Sequence, residues 1–231
     1  MQLTLQASGN ETNNFVLQGT WQVMGITGRW PQVINIWDIP GGWNGWAESV
    51  DRLNLRRRQN TELSQWWDEA YRSRTGGFDR LLAGAPHSRT TEALVADGVR
   101  GSLFVHEISS VRPGAALEFL AAASAIQVPL LADYGFVATG LYETLMTDTE
   151  VITVWAGDVG SHANLQRAEH AARHGLAGGD DRIASWRRTA SEFVTVWRSE
   201  LMTPCPGIRL GPPAQQESEP APDIGSPDSG F

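Results

Sequence analysis

Period-two alternation of apolar and polar side chains predicts the strands of this chain, most clearly in its second half. Residues 103–111 alternate in this way and end at Arg112-Pro113-Gly114. Two further apolar segments, residues 136–144 and 150–156, are predicted to be strands, and the interval 146–149 between them suits a hairpin turn. Three strands are therefore expected after residue 100, and two of them form a hairpin.

Helical segments fill the intervals between these strands. An Ala-, Leu- and Phe-rich stretch predicts a helix over residues 115–134, which Gly135 ends. A second helix is predicted over residues 161–174. A third is expected to begin near Asp180-Asp181, because acidic side chains favour a helix N-terminus, and to run to about Met202. The predicted order is strand, helix, strand, strand, helix, helix.

The first half of the chain repeats parts of the second half. Residues 15–21 match residues 136–142, 121 positions later, as a strand with a central glycine and a terminal aromatic residue. Residues 32–37 match residues 150–155, 118 positions later, and two shorter matches follow in the same order. Four matches in one order indicate an internal repeat.

This order of elements is typical of a ferredoxin-like unit, in which helices cover one face of an antiparallel sheet. The predicted fold is α+β, with two such units in tandem, residues 1–98 and 99–206, packed sheet to sheet as a dimeric α/β-barrel-type fold. The first unit is abbreviated, because the chain before Phe15 has room for one strand, at about residues 1–7, but not for a helix. Residues 207–231 are rich in Pro, Gly, Ser and acidic side chains and are expected to form a disordered tail.

The composition of the 231 residues excludes several classes of function. A formal net charge of -8 opposes nucleic-acid binding. All 18 basic residues are arginine, which excludes Schiff-base, P-loop and protein-kinase sites, because each needs a lysine. The single cysteine, Cys205, allows no intrachain disulfide, and no apolar run reaches about 18 residues. We expect a cytoplasmic protein with no membrane segment.

The second half resembles the NIPSNAP-like branch of the dimeric α/β-barrel superfamily. The motifs that carry the resemblance there are Val105-His106-Glu107-Ile108, Arg112-Pro113-Gly114, Tyr134-Gly135-Phe136, Gly140-Leu141-Tyr142, residues 151–155 and Ser185-Trp186. The first half echoes them at Gly19-Thr20-Trp21, Asn35-Ile36-Trp37 and Trp66. The resemblance covers roughly residues 15–204, and each motif alone is short and apolar.

The resemblance implies a homodimer, or a tandem chain that imitates one, because members of this superfamily usually pair their barrels. The superfamily includes cofactor-free monooxygenases, polyketide cyclases, haem-binding oxygenases and stress-response barrels. The NIPSNAP-like branch has no agreed catalytic set, so the resemblance assigns no catalytic residue. The chemistry has to be argued from the side chains themselves.

Two strand residues are candidates for acid–base chemistry. Glu143 lies on the predicted barrel face of its strand, and a carboxylate in a partly apolar cavity suits a general base. His106 lies beside Glu107 in an otherwise apolar strand, so one of the two faces the barrel. His106 could shuttle a proton or ligate haem iron, although no other feature calls for a cofactor. The alternatives are a rim carboxylate in water and a structural histidine.

Substrate-binding candidates are the polar residues and tryptophans predicted to line the barrel, together with one arginine at a helix end. They are Gln18, Gln22, Asn35, Trp37, Thr153, Trp155 and Arg74. The indole rings either wall a pocket for a planar molecule or fill the barrel. Arg74 either binds a substrate carboxylate or phosphate or forms a surface pair near a helix C-cap. No metal-binding motif is present.

Two functions follow as hypotheses. The first is a small-molecule enzyme of bacterial secondary metabolism that oxygenates, cyclises or rearranges a hydrophobic or aromatic substrate without a nucleotide cofactor. The second is a non-catalytic ligand-binding or scaffold protein with a solidly packed barrel. An enzyme needs an open cavity on which polar groups converge, whereas a scaffold has tryptophans filling that space.

Overall fold

The computed structural model describes residues 15–57, 61–72, 76–86 and 88–213. The strand expected at residues 1–7 lies outside these ranges. Of the tail expected over residues 207–231, residues 207–213 are described, and Ile208 and Leu210 among them are buried in the core. The part of the tail beyond residue 213 lies outside the described residues.

Within the described ranges seven strands form one sheet, and every pair of neighbouring strands is antiparallel. The strands are β1 (Val16–Val23), β2 (Val33–Asp38), β3 (Leu82–Gly84), β4 (Leu103–Val111), β5 (Val137–Thr144), β6 (Glu150–Gly157) and β7 (Val194–Pro204). Their order across the sheet is β2-β1-β7-β4-β6-β5-β3, so β2 and β3 are its edges. The α+β class expected from the sequence is confirmed.

The helices lie in the connections between the strands. They are α1 (Gly42–Arg57), α2 (Thr61–Arg72), α3 (Thr91–Ala96), α4 (Ala116–Ala122), α5 (Val128–Ala132), α6 (Val159–His174) and α7 (Asp181–Ser191). A π-helical turn, Ala123–Gln127, joins α4 to α5. Asp158 caps α6 by accepting a hydrogen bond from the backbone N–H of Ser161, and Gly175 ends this helix in the left-handed conformation.

The strand predictions over residues 103–111, 136–144 and 150–156 are confirmed, as is the helical character of residues 116–132. The expectation that the last helix runs to Met202 is wrong. The helix ends at Ser191, and the following residues form β7, which lies between β1 and β4. The segment that opens β7 is Val-Thr-Val-Trp, and β-branched and aromatic residues of this kind favour a strand over a helix.

The two faces of the sheet bury different cores. Helices α4 to α7 pack on one face, which we call the helix face, around Val105, Phe119 and Trp186. The other face, here the inner face, buries a second cluster that includes Trp21, Phe104 and Met202. The sheet curls towards this inner face. Side chains from strands that are not neighbours therefore meet across it.

The repeat seen in the sequence has a structural counterpart in two matching bulges. The register of β1 against β2 shifts between Leu17 and Gly19, and that of β5 against β6 shifts between Ala138 and Gly140. These positions are 121 residues apart, like the sequence match. The residue inside the first bulge is Gln18, whose side-chain Nε2 donates to the backbone oxygen of the residue inside the second, Thr139, at 3.0 Å.

The glycine that follows each bulge makes room for the aromatic ring two residues later. A Cβ atom on Gly19 would lie 2.6 Å from the ring of Trp21, which is fully buried against Phe104 and has no space to move. We expect Gly19→Ala to lower the free energy of unfolding by about 1–3 kcal/mol. Urea denaturation of this variant and of Gly160→Ala measures the effect.

Gly160→Ala is the matched control, because Gly160 lies in the first turn of α6 and the nearest atom to an added Cβ is an Asp158 oxygen at 3.1 Å. Alanine is favoured over glycine in a helix, so this variant should lose little or no stability. Equal stability of the two variants would show that the close approach of Gly19 and Trp21 does not constrain the fold.

Candidate functional site

The alternation of β4 separates His106 from Glu107. His106 shares the inner face with Phe104, whereas Glu107 points under the helices with Val105. Both side chains are buried, at 5% and 8% exposure. A buried ionisable group needs hydrogen bonds or a countercharge, so the surroundings of each residue indicate its role.

Glu107 is held by three neutral donors. Its Oε2 atom accepts hydrogen bonds from Trp155 Nε1 at 2.8 Å, Thr153 Oγ1 at 2.9 Å and Gln127 Nε2 at 2.9 Å. It forms no ion pair with any described residue. Burying a carboxylate without a cation costs free energy, and such groups are concentrated at functional sites.

Three separate elements bring these donors to Glu107. Thr153 pairs directly with Glu107 across β4 and β6, and Trp155 is the next residue on the same face of β6. Gln127 is the last residue of the π-helical turn between α4 and α5. A π turn inserts one extra residue into a helix and occurs often at functional sites.

A cavity of about 60 Å³ lies beside Glu107, between the sheet and helices α5 to α7. We call it the sheet–helix pocket. Its floor is Glu107, Gln127 and Trp155, and its apolar walls are Val105, Leu130, Leu131, Phe136, Leu165, Ile183 and Trp186. The remaining lining residues are His162, Gln166, Glu169, Arg187, Trp197 and Ser199. Gln166 and Trp197 are exposed, so the pocket opens to the surface on that side.

Two polar atoms in the lining of the pocket are buried without a hydrogen-bond partner, Gln127 Oε1 and His162 Nδ1. The second carboxylate oxygen of Glu107, Oε1, also forms no hydrogen bond with a described residue. Burial lowers the pKa of His162, so its imidazole is neutral near pH 7. The pocket therefore contains more acceptor atoms than its own donors satisfy.

The mouth of the pocket holds a stacked cation. The guanidinium of Arg187 lies over the Trp197 ring, 4.1 Å from its centroid. Its Nε atom is 3.4 Å from Glu169 Oε1 and its Nη2 atom is 3.5 Å from Glu169 Oε2. Both distances are long for a charge-assisted hydrogen bond, so the guanidinium is held mainly by stacking.

The ionisable groups of the inner face compensate one another. His106 Nδ1 is 3.2 Å from Glu200 Oε2, and Arg198 Nη2 is 3.2 Å from Glu200 Oε1. The bond to His106 is the main reason that the pKa of Glu200 is lowered. Arg80 forms two hydrogen bonds with Glu150, at 2.6 and 3.0 Å, and this pair is the main reason that the pKa of Glu150 is lowered.

A larger cleft of about 710 Å³ lies at one end of the sheet. It runs between Ile39, which follows β2, and Leu81, which precedes β3, and Arg80 and Glu150 form part of its wall. Its charged pair is already satisfied internally. The centre of the inner face is packed by Trp21, Phe104 and Met202, all of which have no exposed surface.

The residues predicted to catalyse fall on different faces. His106 faces the inside of the curled sheet, where Glu200 holds it. Glu143 does not line the barrel, which corrects the prediction. It pairs with Val151 on the helix face, because the bulge at Thr139 shifts the alternation of β5 by one residue. Glu143 is also not among the residues that line the sheet–helix pocket.

The predicted binding residues are likewise divided between the two faces. Gln18 faces inward and is bonded to Thr139. Gln22 and Asn35 are exposed, and Trp37 lies on the same outer side of β2 as Asn35, so these three do not line the barrel as predicted. Thr153 and Trp155 also face away from the barrel, but they lie beside Glu107. Arg74 lies outside the described residues.

Sequence reasoning missed Gln127, His162 and Glu200 and named Glu107 only as the neighbour of His106. Glu200 was hidden because its segment was predicted to be helical. Gln127 and His162 lie in helices with no local signal that points to a cavity. For Glu107 the sequence does contain a signal. Neighbouring residues of a strand point to opposite faces, so if His106 points inward, Glu107 must point towards the helices.

No family model matches the chain, and the search of curated proteins returns no match. The resemblance to the NIPSNAP-like branch therefore stays a prediction. In the described ranges, no helix is long and apolar enough to cross a membrane, and no three His, Cys, Asp or Glu side chains are grouped to hold a metal ion.

Removing the partner of Glu200 should destabilise the fold in a pH-dependent way. We expect His106→Asn to lower the free energy of unfolding by about 1–3 kcal/mol at pH 7, because it removes the hydrogen bond that His106 makes with the buried Glu200 carboxylate. The folded-state pKa of Glu200 is lowered, so its contribution is present above the unfolded pKa and is lost as pH falls through the folded value. The difference from wild type should therefore shrink below about pH 4.

Urea denaturation of both proteins from pH 3 to pH 7 measures this difference. Glu143→Gln is the control, because Glu143 forms no ion pair with a described residue. A pH-independent loss in His106→Asn would mean that packing, and not the hydrogen bond to the Glu200 carboxylate, accounts for the effect.

Proposed function

We propose that this chain is a small-molecule enzyme that works without a nucleotide cofactor, and that its active site is the sheet–helix pocket. The observation that carries the proposal is the buried Glu107 carboxylate, which has three neutral donors on one oxygen and no ion-pair partner among the described residues. The site therefore differs in place from the barrel interior expected from the sequence.

The hydrogen bonds of Glu107 suit a general base. Donors from Thr153, Trp155 and Gln127 all reach Oε2, so they fix the orientation of the carboxylate and leave Oε1 to accept a proton. A base must be held in position by its surroundings if it is to meet a substrate in a productive geometry. His162, with a neutral imidazole, is a second group in the lining that can accept or return a proton.

Removal and return of a proton defines the reaction class as cyclisation or rearrangement. The proton moves from the substrate to Glu107 Oε1, and the electron pair that it leaves forms a new bond to a carbonyl carbon of the same substrate. The C=O π bond breaks and its electrons move to oxygen, which then takes the proton back from Glu107. No oxidant is consumed in this sequence, so neither a nicotinamide nor a flavin is required.

The walls of the pocket indicate the kind of substrate. Leu130, Leu131, Ile183 and Trp186 present apolar surface around the carboxylate. The enclosed volume of about 60 Å³ holds only the reacting end of a substrate, since complete ligand sites are several times larger. The hydrophobic or aromatic body would then lie in the mouth, against Trp197.

The tandem ferredoxin-like arrangement is part of the same proposal. Residues 103–204 follow the order β-α-β-β-α-β with strand order β7-β4-β6-β5, which supports one complete unit. The matching bulges of β1 and β5 support the abbreviated first unit, which contains β1 to β3. The strand expected at about residues 1–7 remains a prediction, as does a homodimer.

A scaffold without catalysis is the second candidate, and the packing of the inner face favours it. Trp21, Phe104 and Met202 fill the centre of the curled sheet, as expected of a barrel that holds no ligand. This argument does not extend to the helix face, where the sheet–helix pocket lies beside Glu107. The scaffold predicts that Glu107 has no chemical role.

Base catalysis can be tested without knowing the substrate by using 5-nitrobenzisoxazole as the probe. A base removes its ring C–H proton, the N–O bond breaks, and a coloured nitrile phenolate forms. We expect the full-length protein to accelerate this reaction and Glu107→Gln to lower kcat/KM by about a hundredfold, because the amide cannot accept the proton.

Glu143→Gln is the matched control, since it removes a carboxylate from the same sheet but not from the pocket, and it should retain the wild-type rate. His106→Asn should also retain the wild-type rate, because His106 lies on the inner face of the sheet and the pocket lies on the helix face. Circular dichroism confirms that each variant is folded. Activity that survives in Glu107→Gln, or no activity in the wild type, would overturn the enzyme proposal and favour the scaffold.

A further inference from the structure

We propose that the sheet–helix pocket binds a small primary amine in its ammonium form. This inference rests on the pocket assigned under the proposed function, but it concerns the class of ligand and not the reaction. It follows from the kinds of hydrogen-bonding atoms that the pocket presents, from its charge and from its aromatic lining. Each of these features favours a cationic donor over a neutral or anionic ligand.

The pocket offers acceptors and has no free donor in its floor. Glu107 Oε1, Gln127 Oε1 and His162 Nδ1 have no partner among the described residues. The amide of Gln127 is oriented without ambiguity, because a carboxylate oxygen accepts and so must face the NH₂ group. The donors of Thr153 and Trp155 already point at Glu107 Oε2.

An ammonium group matches this set of atoms. It carries three N–H donors and no acceptor, whereas an alcohol brings only one donor, and a carboxylate brings acceptors alone. The neutral imidazole of His162 has one nitrogen that accepts, and Nδ1 takes this role when the proton is on Nε2. The lining thus holds as many unpartnered atoms able to accept as an ammonium group has donors, and one of them carries a charge.

The charge of the lining points the same way. Two carboxylates, Glu107 and Glu169, line the pocket against a single guanidinium, that of Arg187. Arg187 lies at the mouth against Trp197 and Glu169, and no ion pair joins Glu107 to a described residue. A ligand ammonium would supply a countercharge and remove the free-energy cost of burying an isolated carboxylate. The net charge of -8 on the chain also attracts cations from solution.

The aromatic residues add a third argument. Trp155 and Trp186 line the pocket, and the faces of indole rings attract cations. Trp197 already shows this behaviour at the mouth, where Arg187 lies on its ring. The volume of about 60 Å³ suits an ammonium group on a short alkyl stem, with a larger apolar body outside. Transfer of one ammonium proton to Glu107 Oε1 would leave the electron pair on nitrogen, ready to attack within the same molecule.

The test compares n-butylamine, butan-1-ol and butyrate, three probes of nearly equal size, by isothermal titration calorimetry on the full-length protein at pH 7. We expect the amine to bind at least tenfold more tightly than the alcohol, and butyrate to bind more weakly than either. Glu107→Gln should lower the affinity for the amine at least tenfold and change that for the alcohol less than twofold. Gln127→Leu should also weaken amine binding, because it removes one acceptor.

Glu143→Gln is the control for a general loss of negative charge and should bind the amine like wild type. Equal affinity for amine and alcohol, no binding of any probe, or an unchanged affinity in Glu107→Gln would overturn the inference. The two proposals fail separately. Amine selectivity without nitrobenzisoxazole turnover would support the ammonium site and contradict the enzyme proposal. Turnover without amine selectivity would support the enzyme proposal and contradict the ammonium site.

Discussion

The pairing of β7 between β1 and β4 joins the two halves of this protein, and the rest of the structure depends on it. Without β7, the hairpin β1-β2 would have no bonded neighbour in the sheet. The same strand places Glu200 on the inner face beside His106 and Trp197 on the helix face at the mouth of the pocket. One strand in the middle of the sheet therefore determines the position of groups in both polar clusters.

The sequence was enough to predict the strands from Leu103 to Gly157, because each is a short, mainly apolar segment bounded by a turn signal. It failed at β7, where exposed positions such as Val196 and Trp197 weaken the alternation. The preceding helix has a clear N-cap in Asp180, but no Gly or Pro follows it before Pro204, so the sequence indicated no end to the helix. The repeat was more robust than any single element, because it compares the chain with itself and needs no propensity scale.

Most residues of the candidate site could not be predicted from the sequence, and the reason is geometric. A bulge adds one residue to a strand, so every side chain after it changes face. The bulges at Gln18 and Thr139 therefore reversed the predicted orientation of Gln22 and Glu143. The π turn that positions Gln127 is an insertion of the same kind in a helix. A pattern search that assumes a constant helix or strand period cannot detect these insertions. Each of them lies next to a polar side chain discussed above as part of a site.

The contrast between Glu200 and Glu107 separates support of the fold from function. Both carboxylates are buried on adjacent strands of one sheet, but Glu200 lies 3.2 Å from His106 Nδ1 and 3.2 Å from the Arg198 guanidinium, so a cation offsets its charge. Glu107 has only neutral donors, and an apolar residue in its place would avoid the cost of burying a charge. A residue that stability alone would not favour, held rigidly beside a cavity with unpaired acceptors, is best explained by a ligand that completes its hydrogen bonds and its charge.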